Sequence, residues 1–342
     1  MPDKTIVVTG GSVGGIGFAS IVQLAKDGRF SKIVITVRSD AKGEEACSTA
    51  AELSGKPKSM FSHVIVDFFD HASIKKAIAS TAMPARIDVL LSNAGGLGDS
   101  GELTKHGVTE LVARNALGNV VFIDGLIAAG KIPRDSTARV VLAGTEASRD
   151  LWLFAGFQPY VRIEKEKIEE YMTTPPTRGT YGIGVRKRMA AYGNSKLLAA
   201  LYLSNLASEQ PKIYFATVSP GSVPDTNARN DAPEPLHTVM GFSFVVKMMA
   251  MVNGAHPMEV AVANYLKAVY DEFDYSADDA NSNSAAGTFS EKFPSGSVVG
   301  APSKFPYYGP CGPLVNQSSI AGYYDDVELQ KEAARVLRSK AV

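Results

Sequence analysis

Short apolar runs alternate with helix-like patterns along the first two thirds of the chain. Six of these runs have the length of β-strands, at 6–8, 33–37, 64–66, 89–91, 140–142 and 213–218. Between them, apolar residues recur at helical spacing over 16–28, 41–53, 72–81, 110–130 and 190–208. Apolar strands that each lead into a helix are typical of a parallel sheet covered by helices on both faces. The pattern therefore predicts an α/β protein with a doubly wound parallel sheet in a single domain.

Two segments interrupt this alternation. Residues 149–189 separate the fifth strand from the next strong helix, so we expect an insertion there. The segment 277–313 is rich in Ser, Asn, Gly and Pro, which predicts mostly loop before a final helix over 325–339. Aromatic residues in 151–160 and methionines in 240–251 are typical of apolar walls around a ligand, although core packing explains both patterns equally well.

The first strand runs into a glycine-rich turn, and a helix follows at once. Between Thr9 and Gly17 the turn contains Gly10, Gly11, Gly14 and Gly15. Glycine permits a tight turn and leaves room for a phosphate, while a helix N-terminus offers free N–H groups and a partial positive charge. Strand, glycine turn and helix together predict the phosphate-binding part of a dinucleotide site. An ordinary strand-to-helix turn is the alternative interpretation.

The end of the second strand bears on the choice of coenzyme. In dinucleotide-binding folds the adenosine ribose lies there, and an acidic residue accepts hydrogen bonds from its 2′-hydroxyl. This chain has Arg38 instead, and a guanidinium pairs well with a 2′-phosphate. We therefore predict NADP(H) rather than NAD(H), with Lys42 as a further candidate cation. Asp40 is a nearby acid that favours the other coenzyme, and a plain surface role for Arg38 is the alternative.

A tyrosine and a lysine four residues apart supply candidate acid–base chemistry. Tyr192 and Lys196 share one face of the predicted helix 190–208. The pKa of an isolated phenol is about 10, and a neighbouring ammonium group lowers it toward the range in which a phenol works as an acid or a base. The pair therefore suits the interconversion of a carbonyl and an alcohol. Taken alone, the same spacing also occurs in ordinary pairs on helix surfaces.

Residues 5–226 resemble the short-chain dehydrogenase/reductase family, whose motifs appear here in the same order. They are the glycine turn, Asp67 after the third strand, 93–95 after the fourth strand, Asn115, the Tyr192–Lys196 pair, and 220–226. The resemblance implies cofactor contacts from Gly10, Ser12, Gly15, Ile16, Gly17, Arg38, Asp67, Asn93, Ala94, Gly95, Tyr192, Lys196, Pro220, Gly221, Val223 and Thr226. It implies a catalytic set of Asn115, Thr145, Tyr192 and Lys196.

Two departures from the family pattern affect individual residues. The glycine turn carries one extra residue, because four residues rather than three separate Gly10 from Gly15, so contacts near Ser12 do not carry over directly. After the fifth strand, the alignment places Thr145 where the family usually has a catalytic serine. A threonine hydroxyl can donate the same hydrogen bond. Ser148, three residues later, is the alternative.

The resemblance implies an enzyme with a Rossmann-type fold. It would be an NADP(H)-dependent oxidoreductase that reduces the ketone or aldehyde group of a bulky, largely apolar molecule. Tyr192 would donate the proton, the substrate oxygen would lie between Tyr192 and Thr145, and Asn115 would support a water relay. The implied division of the chain is a dinucleotide-binding half at 1–145, an insertion at 149–189, a catalytic helix and following strand at 190–226, and a substrate lid with C-terminal extension at 227–342.

Within the family, the chain looks closest to the retinol-dehydrogenase-like and light-dependent protochlorophyllide-reductase-like proteins. The cues are Arg38 with 42–46, the long insertion, and 287–290 ahead of the final helix. This leaves two alternative functions, which are light-dependent reduction of a tetrapyrrole double bond and non-catalytic sensing of NADP(H). Retention of Tyr192 and Lys196 argues against the sensor.

Composition narrows the partners and the compartment. Lys plus Arg total 35, as do Asp plus Glu, so the zero net charge gives no general attraction to nucleic acid or to an anionic membrane. Two cysteines and no evident signal sequence predict a cytoplasmic protein, and we find no apolar run long enough to predict a spanning helix. The five histidines lack metal-ligand spacing, so no metal is predicted. Family analogy allows a homodimer through helices 110–130 and 190–208.

Overall fold

One sheet of eight strands runs through the described part of the chain. The computed structural model describes residues 3–98, 101–148, 163–175, 185–221, 223, 257–273, 287–300, 314–316 and 322–341. The strands are β1 (Thr5–Thr9), β2 (Lys32–Val37), β3 (Phe61–Ile65), β4 (Val89–Ser92), β5 (Arg139–Ala143), β6 (Tyr214–Val218), β7 (Ser297–Gly300) and β8 (Val315–Asn316). Their order is β3-β2-β1-β4-β5-β6-β7-β8, parallel through β7, with β8 antiparallel.

Helices cover both faces of this sheet. They are α1 (Ile16–Asp27), α2 (Asp40–Ser54), α3 (His71–Ala79), α4 (Glu110–Val112), α5 (Gly118–Ala128), α6 (Ile168–Thr173), α7 (Val185–Glu209), α8 (Met258–Tyr270), α9 (Phe289–Lys292) and α10 (Val327–Lys340). A π-helix, Ala113–Leu117, joins α4 to α5.

The central strands β1, β2, β4, β5 and β6 are largely apolar because each of their faces meets a separate core. Val7 of β1 belongs to a core cluster with residues of α3, α5, α7 and α10. Its neighbours Ile6 and Val8 point the other way, into a cluster with residues of α1, α2 and α8. All three side chains are fully buried. The predicted doubly wound parallel sheet is therefore confirmed, since alternate residues of one strand are buried on opposite faces.

The direction of chain progression reverses beside β1. Val7 pairs with Val34 of β2 on one side and with Leu90 of β4 on the other. Crossovers on the two sides of such a point lie on opposite faces of the sheet, which opens a crevice outside the carboxyl ends of the strands. The predicted glycine turn begins at this edge, directly after β1.

All six predicted strands are present, and the differences from the sequence prediction are local. Strand β3 begins at Phe61, three residues before the predicted start. The predicted loop over 277–313 is wrong in part, because α9 and β7 lie within it. Only Val298 and Val299 of β7 are apolar, and the strand forms because Thr217 and Val218 of β6 offer it a parallel partner.

Helix α10 packs across α7 and reaches α5. Its apolar residues Ala333 and Leu337 are buried in the same core cluster as the inner face of α7. Arg338 fixes its end: Nε donates to Asp124 Oδ2 on α5 at 3.0 Å, and Nη2 donates to Glu209 Oε2 on α7 at 2.8 Å. The C-terminal helix is thus joined to two core helices by both apolar contact and charge.

The segment Glu110–Ala128 is long and apolar enough to cross a membrane by length and composition. Within the fold, however, 78% of this stretch is buried. It lies in the larger core cluster, which includes Val120, Phe122 and Leu126. A buried core helix satisfies the same length and composition criteria, so this stretch is weak evidence for a membrane span.

The described residues of the predicted lid, 227–342, join the sheet or pack against it, except for α10, which packs on α7 and α5. Helix α8 contributes Tyr265 and Leu266 to the core beside α1, and β7 extends the sheet next to β6. Residues 227–256 lie outside the described residues. The division of the chain into two halves, an insertion and a lid stays a prediction.

Candidate active site

A cavity of about 580 Å³ lies at the carboxyl edge of the sheet. It touches the ends of β1, β2, β4 and β5 and the start of α1, which is the crevice expected for a doubly wound sheet. Its described lining is Gly10, Ser12, Gly15, Ile16, Thr36, Val37, Arg38, Lys42, Val66, Asp67, Phe68, Phe69, Asn93, Ala94, Gly95, Gly96, Leu97, Arg114, Ala143, Gly144, Tyr192, Lys196, Pro220 and Tyr265. Most of the predicted cofactor residues are therefore brought together.

The glycine turn is shaped by close contact with the segment that follows β4. Gly10 has a φ of 68°, which side chains rarely tolerate, and a Cβ there would lie 3.0 Å from Ala94 Cα. A Cβ at Gly17 would lie 2.5 Å from Asn93 Nδ2. Asn93 Nδ2 in turn donates to Thr9 O at 3.1 Å. Asn93 therefore ties the turn to the segment after β4. Gly17 leaves room for the Asn93 side chain, and it is not among the described residues that line the cavity.

The start of α1 faces the cavity through Gly15 and Ile16. Gly15 is the N-cap of this twelve-residue helix and supplies no side-chain cap, so the first backbone N–H groups remain available to an anion. Ser12, in the lengthened part of the turn, also lines the cavity. The extra residue therefore leaves Ser12 at the cavity wall.

Two cations stand at one end of the cavity. Arg38, at the end of β2, and Lys42, on α2, are both exposed and both line it. Asp40 is the nearby acid that would favour NAD(H) over NADP(H). Its Oδ1 lies 2.9 Å from His63 Nε2 on β3, and the described cavity lining does not include it. This end of the cavity is positively charged.

Asp67 lies in the loop after β3, on the wall near these cations. The backbone N–H of Phe69 donates to Asp67 Oδ1 at 3.0 Å, and the Asp67 N–H donates to Ser73 Oγ at 3.0 Å. These bonds hold the carboxylate in a fixed turn. Arg114 stands over the Phe69 ring at 4.7 Å and lines the same wall.

Tyr192 also lines the cavity, and its side chain is hydrogen-bonded to Thr145, which is not among the described lining residues. Burial raises the pKa of the Tyr192 phenol, and a hydrogen bond with the Thr145 side chain partly opposes that shift. Ser148, the alternative hydroxyl, is instead buried against Tyr324, which lies just before α10. Its Oγ is 2.8 Å from the Tyr324 hydroxyl. Ser148 Oγ also donates to Thr145 O at 2.6 Å. Of the two hydroxyls, Thr145 is the one that contacts Tyr192.

Lys196 lies one helical turn beyond Tyr192 and is only 4% exposed. Its Nζ donates to Ala143 O at the end of β5 over 2.9 Å. Burial lowers the pKa of Lys196 to about 8. The expected lowering of the Tyr192 pKa by this ammonium is wrong, because burial dominates at the phenol and the net shift of its pKa is upward.

Asn115 lies on the π-helix between α4 and α5. A π-helix has one extra residue per turn compared with an α-helix. The Asn115 side-chain amide makes two hydrogen bonds with the Gly96 backbone: Gly96 N donates to Asn115 Oδ1 at 2.9 Å, and Asn115 Nδ2 donates to Gly96 O at 3.0 Å. A Cβ at Gly95 would lie 2.7 Å from Asn115 Oδ1 and 2.9 Å from Lys196 Nζ. Gly95 thus marks the place where Asn115 and Lys196 approach each other.

The remaining predicted site residues differ in where the structure places them. Pro220 lines the cavity, and Gly221, with a φ of 80°, follows it. Val223 belongs to the described residues but is outside the described lining. Thr226 and the candidate apolar walls at 151–160 and 240–251 lie outside the described residues.

The structure adds residues to this site that sequence reasoning did not select. Phe68 and Phe69 directly follow Asp67, and Arg114 directly precedes Asn115. Their position next to motif residues is the sequence feature that could have identified them as part of the site. Tyr265 comes from α8, in the segment assigned to the lid, and is 1% exposed. No local motif marked it, because only the packing of α8 against the sheet brings it to the cavity.

Comparison with known proteins agrees with this arrangement. The family model described as short chain dehydrogenase matches residues 4–155. Dehydrogenase/reductase SDR family member 12 of Homo sapiens is 26% identical over 68% of this chain and 65% of its own length. Short chain dehydrogenase macD of Penicillium terrestre is 28% identical over 75% of this chain and 74% of its own length. The alignment with the human relative thus spans just under two thirds of that protein.

A solved short-chain dehydrogenase/reductase from Saccharomyces cerevisiae shares the fold. It superposes with a TM-score of 0.52 at 21% identity, and the match covers 78% of this chain and 90% of the yeast chain. Residues 4–155 thus match the family described as short chain dehydrogenase, and the chain is similar in fold to a solved short-chain dehydrogenase/reductase.

Proposed function

We propose that the protein is an NADPH-dependent reductase of ketones or aldehydes carried by bulky, largely apolar small molecules. The observation that carries this proposal is the arrangement of one cavity. Two cations, Arg38 and Lys42, line it together with a phenol and an amine, from Tyr192 and Lys196, and the Thr145 hydroxyl is bonded to the phenol.

The residues around the cavity fit a phosphorylated dinucleotide. The uncapped start of α1 offers N–H groups to a diphosphate, and Gly15 leaves open space there because a Cβ would meet only Ser12 O at 3.7 Å. Asp67 stands near the cationic end, where a carboxylate suits an amino group of adenine. When bound, the reduced nicotinamide supplies hydride to the carbonyl carbon, and the protein provides orientation and the proton.

Tyr192 is the proton donor of this proposal. Burial favours the neutral phenol, so the proton is in place on its oxygen before the reaction. Thr145 is bonded to the Tyr192 side chain, so a carbonyl oxygen that accepts from both hydroxyls gains a two-point site for its developing negative charge.

Lys196 and Asn115 support the tyrosine. Lys196 is held by Ala143 O, and its lowered pKa near 8 brings its proton exchange close to neutral pH. Asn115 is fixed by Gly96 on both amide atoms, next to the position of Lys196. These two groups are placed to pass a proton toward Tyr192 through water after each turnover.

Preference for NADPH over NADH rests on Arg38. A guanidinium and a nearby ammonium suit a dianionic 2′-phosphate, and Asp40, the acid that would suit a 2′-hydroxyl, is bonded to His63.

The test is Tyr192→Phe, assayed by NADPH absorbance with a panel of bulky ketones and aldehydes. We expect kcat to fall by about 100-fold or more, the usual contribution of a positioned acid, while NADPH binding is kept. Tyr270→Phe is the matched control, because its hydroxyl bonds Asp27 Oδ2 at the far end of α8. Full turnover by Tyr192→Phe would refute the assignment. A wild-type protein that binds NADPH tightly but turns over no substrate would favour the sensor.

A further inference from the structure

His63 lies on β3, and its side chain packs beneath the first turn of α2. The ring fills the space that a side chain at position 43 would need, since a Cβ on Gly43 would lie 2.3 Å from His63 Cδ2. The imidazole is therefore enclosed between strand and helix, with its side chain 14% exposed. This packing fixes the direction in which its ring nitrogens point.

Both ring nitrogens face acids of α2. His63 Nε2 lies 2.9 Å from Asp40 Oδ1, and Nδ1 lies 3.8 Å from Glu44 Oε1. Lys58 Nζ donates to the other oxygen of Glu44 at 2.9 Å, so Glu44 has a second partner. The Asp40 side chain is 78% exposed, and the bond to His63 is what gives it a fixed position.

The consequence falls on the two neighbouring cations. Arg38 and Lys42 line the cavity, whereas Asp40, between them in sequence, is not among its described lining residues. We infer that His63 is a positioning residue for coenzyme choice: it holds the Asp40 carboxylate against β3, so that Arg38 and Lys42 face a 2′-phosphomonoester without a competing acid. This inference rests on the proposed function.

The electrostatic reason makes the effect selective. A released Asp40 carboxylate pairs with Arg38 or Lys42 and repels a dianionic phosphate. A coenzyme with a 2′-hydroxyl carries no charge there, so it gains or loses little. One unit charge about 5 Å away in water changes binding about fourfold, and the doubled charge of the phosphate squares this to about sixteenfold.

The experiment measures Kd for NADP⁺ and NAD⁺ by calorimetry in four variants of the full chain. His63→Phe keeps the ring volume against Gly43 but removes the bond to Asp40. We expect NADP⁺ affinity to fall about four- to sixteenfold, with NAD⁺ affinity unchanged or slightly higher. His63→Gln keeps an N–H donor and retains the wild-type ratio. Asp40→Asn alone keeps or improves NADP⁺ binding, and the double variant His63→Phe with Asp40→Asn restores it.

The rescue separates positioning from folding. A loss of NADP⁺ affinity in His63→Phe that Asp40→Asn does not restore would overturn the inference, because the damage would then be structural. An unchanged affinity ratio in His63→Phe would also overturn it, while the wild-type preference for NADP⁺ would still support the proposed function. A wild type that binds NAD⁺ as tightly as NADP⁺ would overturn both the inference and the proposed coenzyme.

Discussion

A stacked pair of histidines, of which His71 is buried, makes the stability of the fold depend on pH. His71, the first residue of α3, stacks on His106 with ring centroids 3.5 Å apart and planes inclined by 15°. His71 is 5% exposed. Burial, followed by the charge of His106, Lys75 and Lys105, lowers the pKa of His71 from 6.5 to about 4. Burial and Lys105 lower the pKa of His106 as well.

The direction of the effect follows from proton binding. Between pH 6.5 and about 4 the unfolded chain holds a proton on His71 that the folded chain does not, so stability falls as the pH falls through this window. The full shift corresponds to about 3 kcal/mol at the rate of about 1.4 kcal/mol per pKa unit. By the same linkage, lowering the pH from 7.5 to 5.0 costs about 2 kcal/mol.

The assay is urea unfolding of the wild type and His71→Phe at pH 7.5 and 5.0. The variant keeps an aromatic ring against His106 but cannot bind a proton, so its free energy of unfolding is expected to fall by about 2 kcal/mol less than that of the wild type. Other titrating groups contribute equally to both proteins. Equal losses would refute the reasoning. Direct titration of the His71 ring by NMR is the second measurement, and a pKa near 6.5 would refute it too.

Two further predictions concern Thr145 and Arg338. Thr145→Val removes the hydroxyl that bonds Tyr192, so we expect kcat to fall about 10- to 100-fold. Thr145→Ser and Ser148→Ala are expected to keep most activity, because the first retains a hydroxyl and the Ser148 hydroxyl bonds Tyr324 instead. A larger loss of kcat in Ser148→Ala than in Thr145→Val would reverse the assignment. Arg338→Ala breaks the bonds from α10 to Asp124 and Glu209, so thermal unfolding is expected to show a loss of about 1 kcal/mol. Arg335→Ala is its control, since Arg335 bonds only its neighbour Glu332 on the exposed face among its described partners; an equal loss in both would show that the bridge to α5 and α7 adds nothing.

Five of the first six strands could be predicted because each is an apolar run buried on both faces, whereas β3, with Ser62 and His63 in its middle, was recognised only from its last residues. Ile33, Val34 and Ile35, for example, are all fully buried, so no polar position breaks the run. Strand β7 could not be predicted, because its four residues contain only two apolar ones. It is a strand through its pairing with β6, which is a contact between residues about 80 positions apart.

The candidate site likewise contains features that could be predicted from the sequence and features that could not. Residues within motifs, such as Asn93 and Lys196, could be placed from sequence because strand ends and helix faces fix their direction. The π-helix at Asn115 could not, because a helical pattern gives no sign of one extra residue in a turn. The electrostatics of Tyr192 also escaped prediction, since the effect of burial on a phenol depends on packing that sequence alone does not specify.

Helix α10 also determines which surfaces remain for self-association. It lies on α7 and is fastened to α5 by Arg338, so it already occupies part of the helix pair through which the family resemblance allows a homodimer. A second copy could reach that area only by prising away Leu337 and Ala333, which are fully enclosed by the chain itself. Any assembly that leaves the fold intact must therefore use a surface that α10 does not cover.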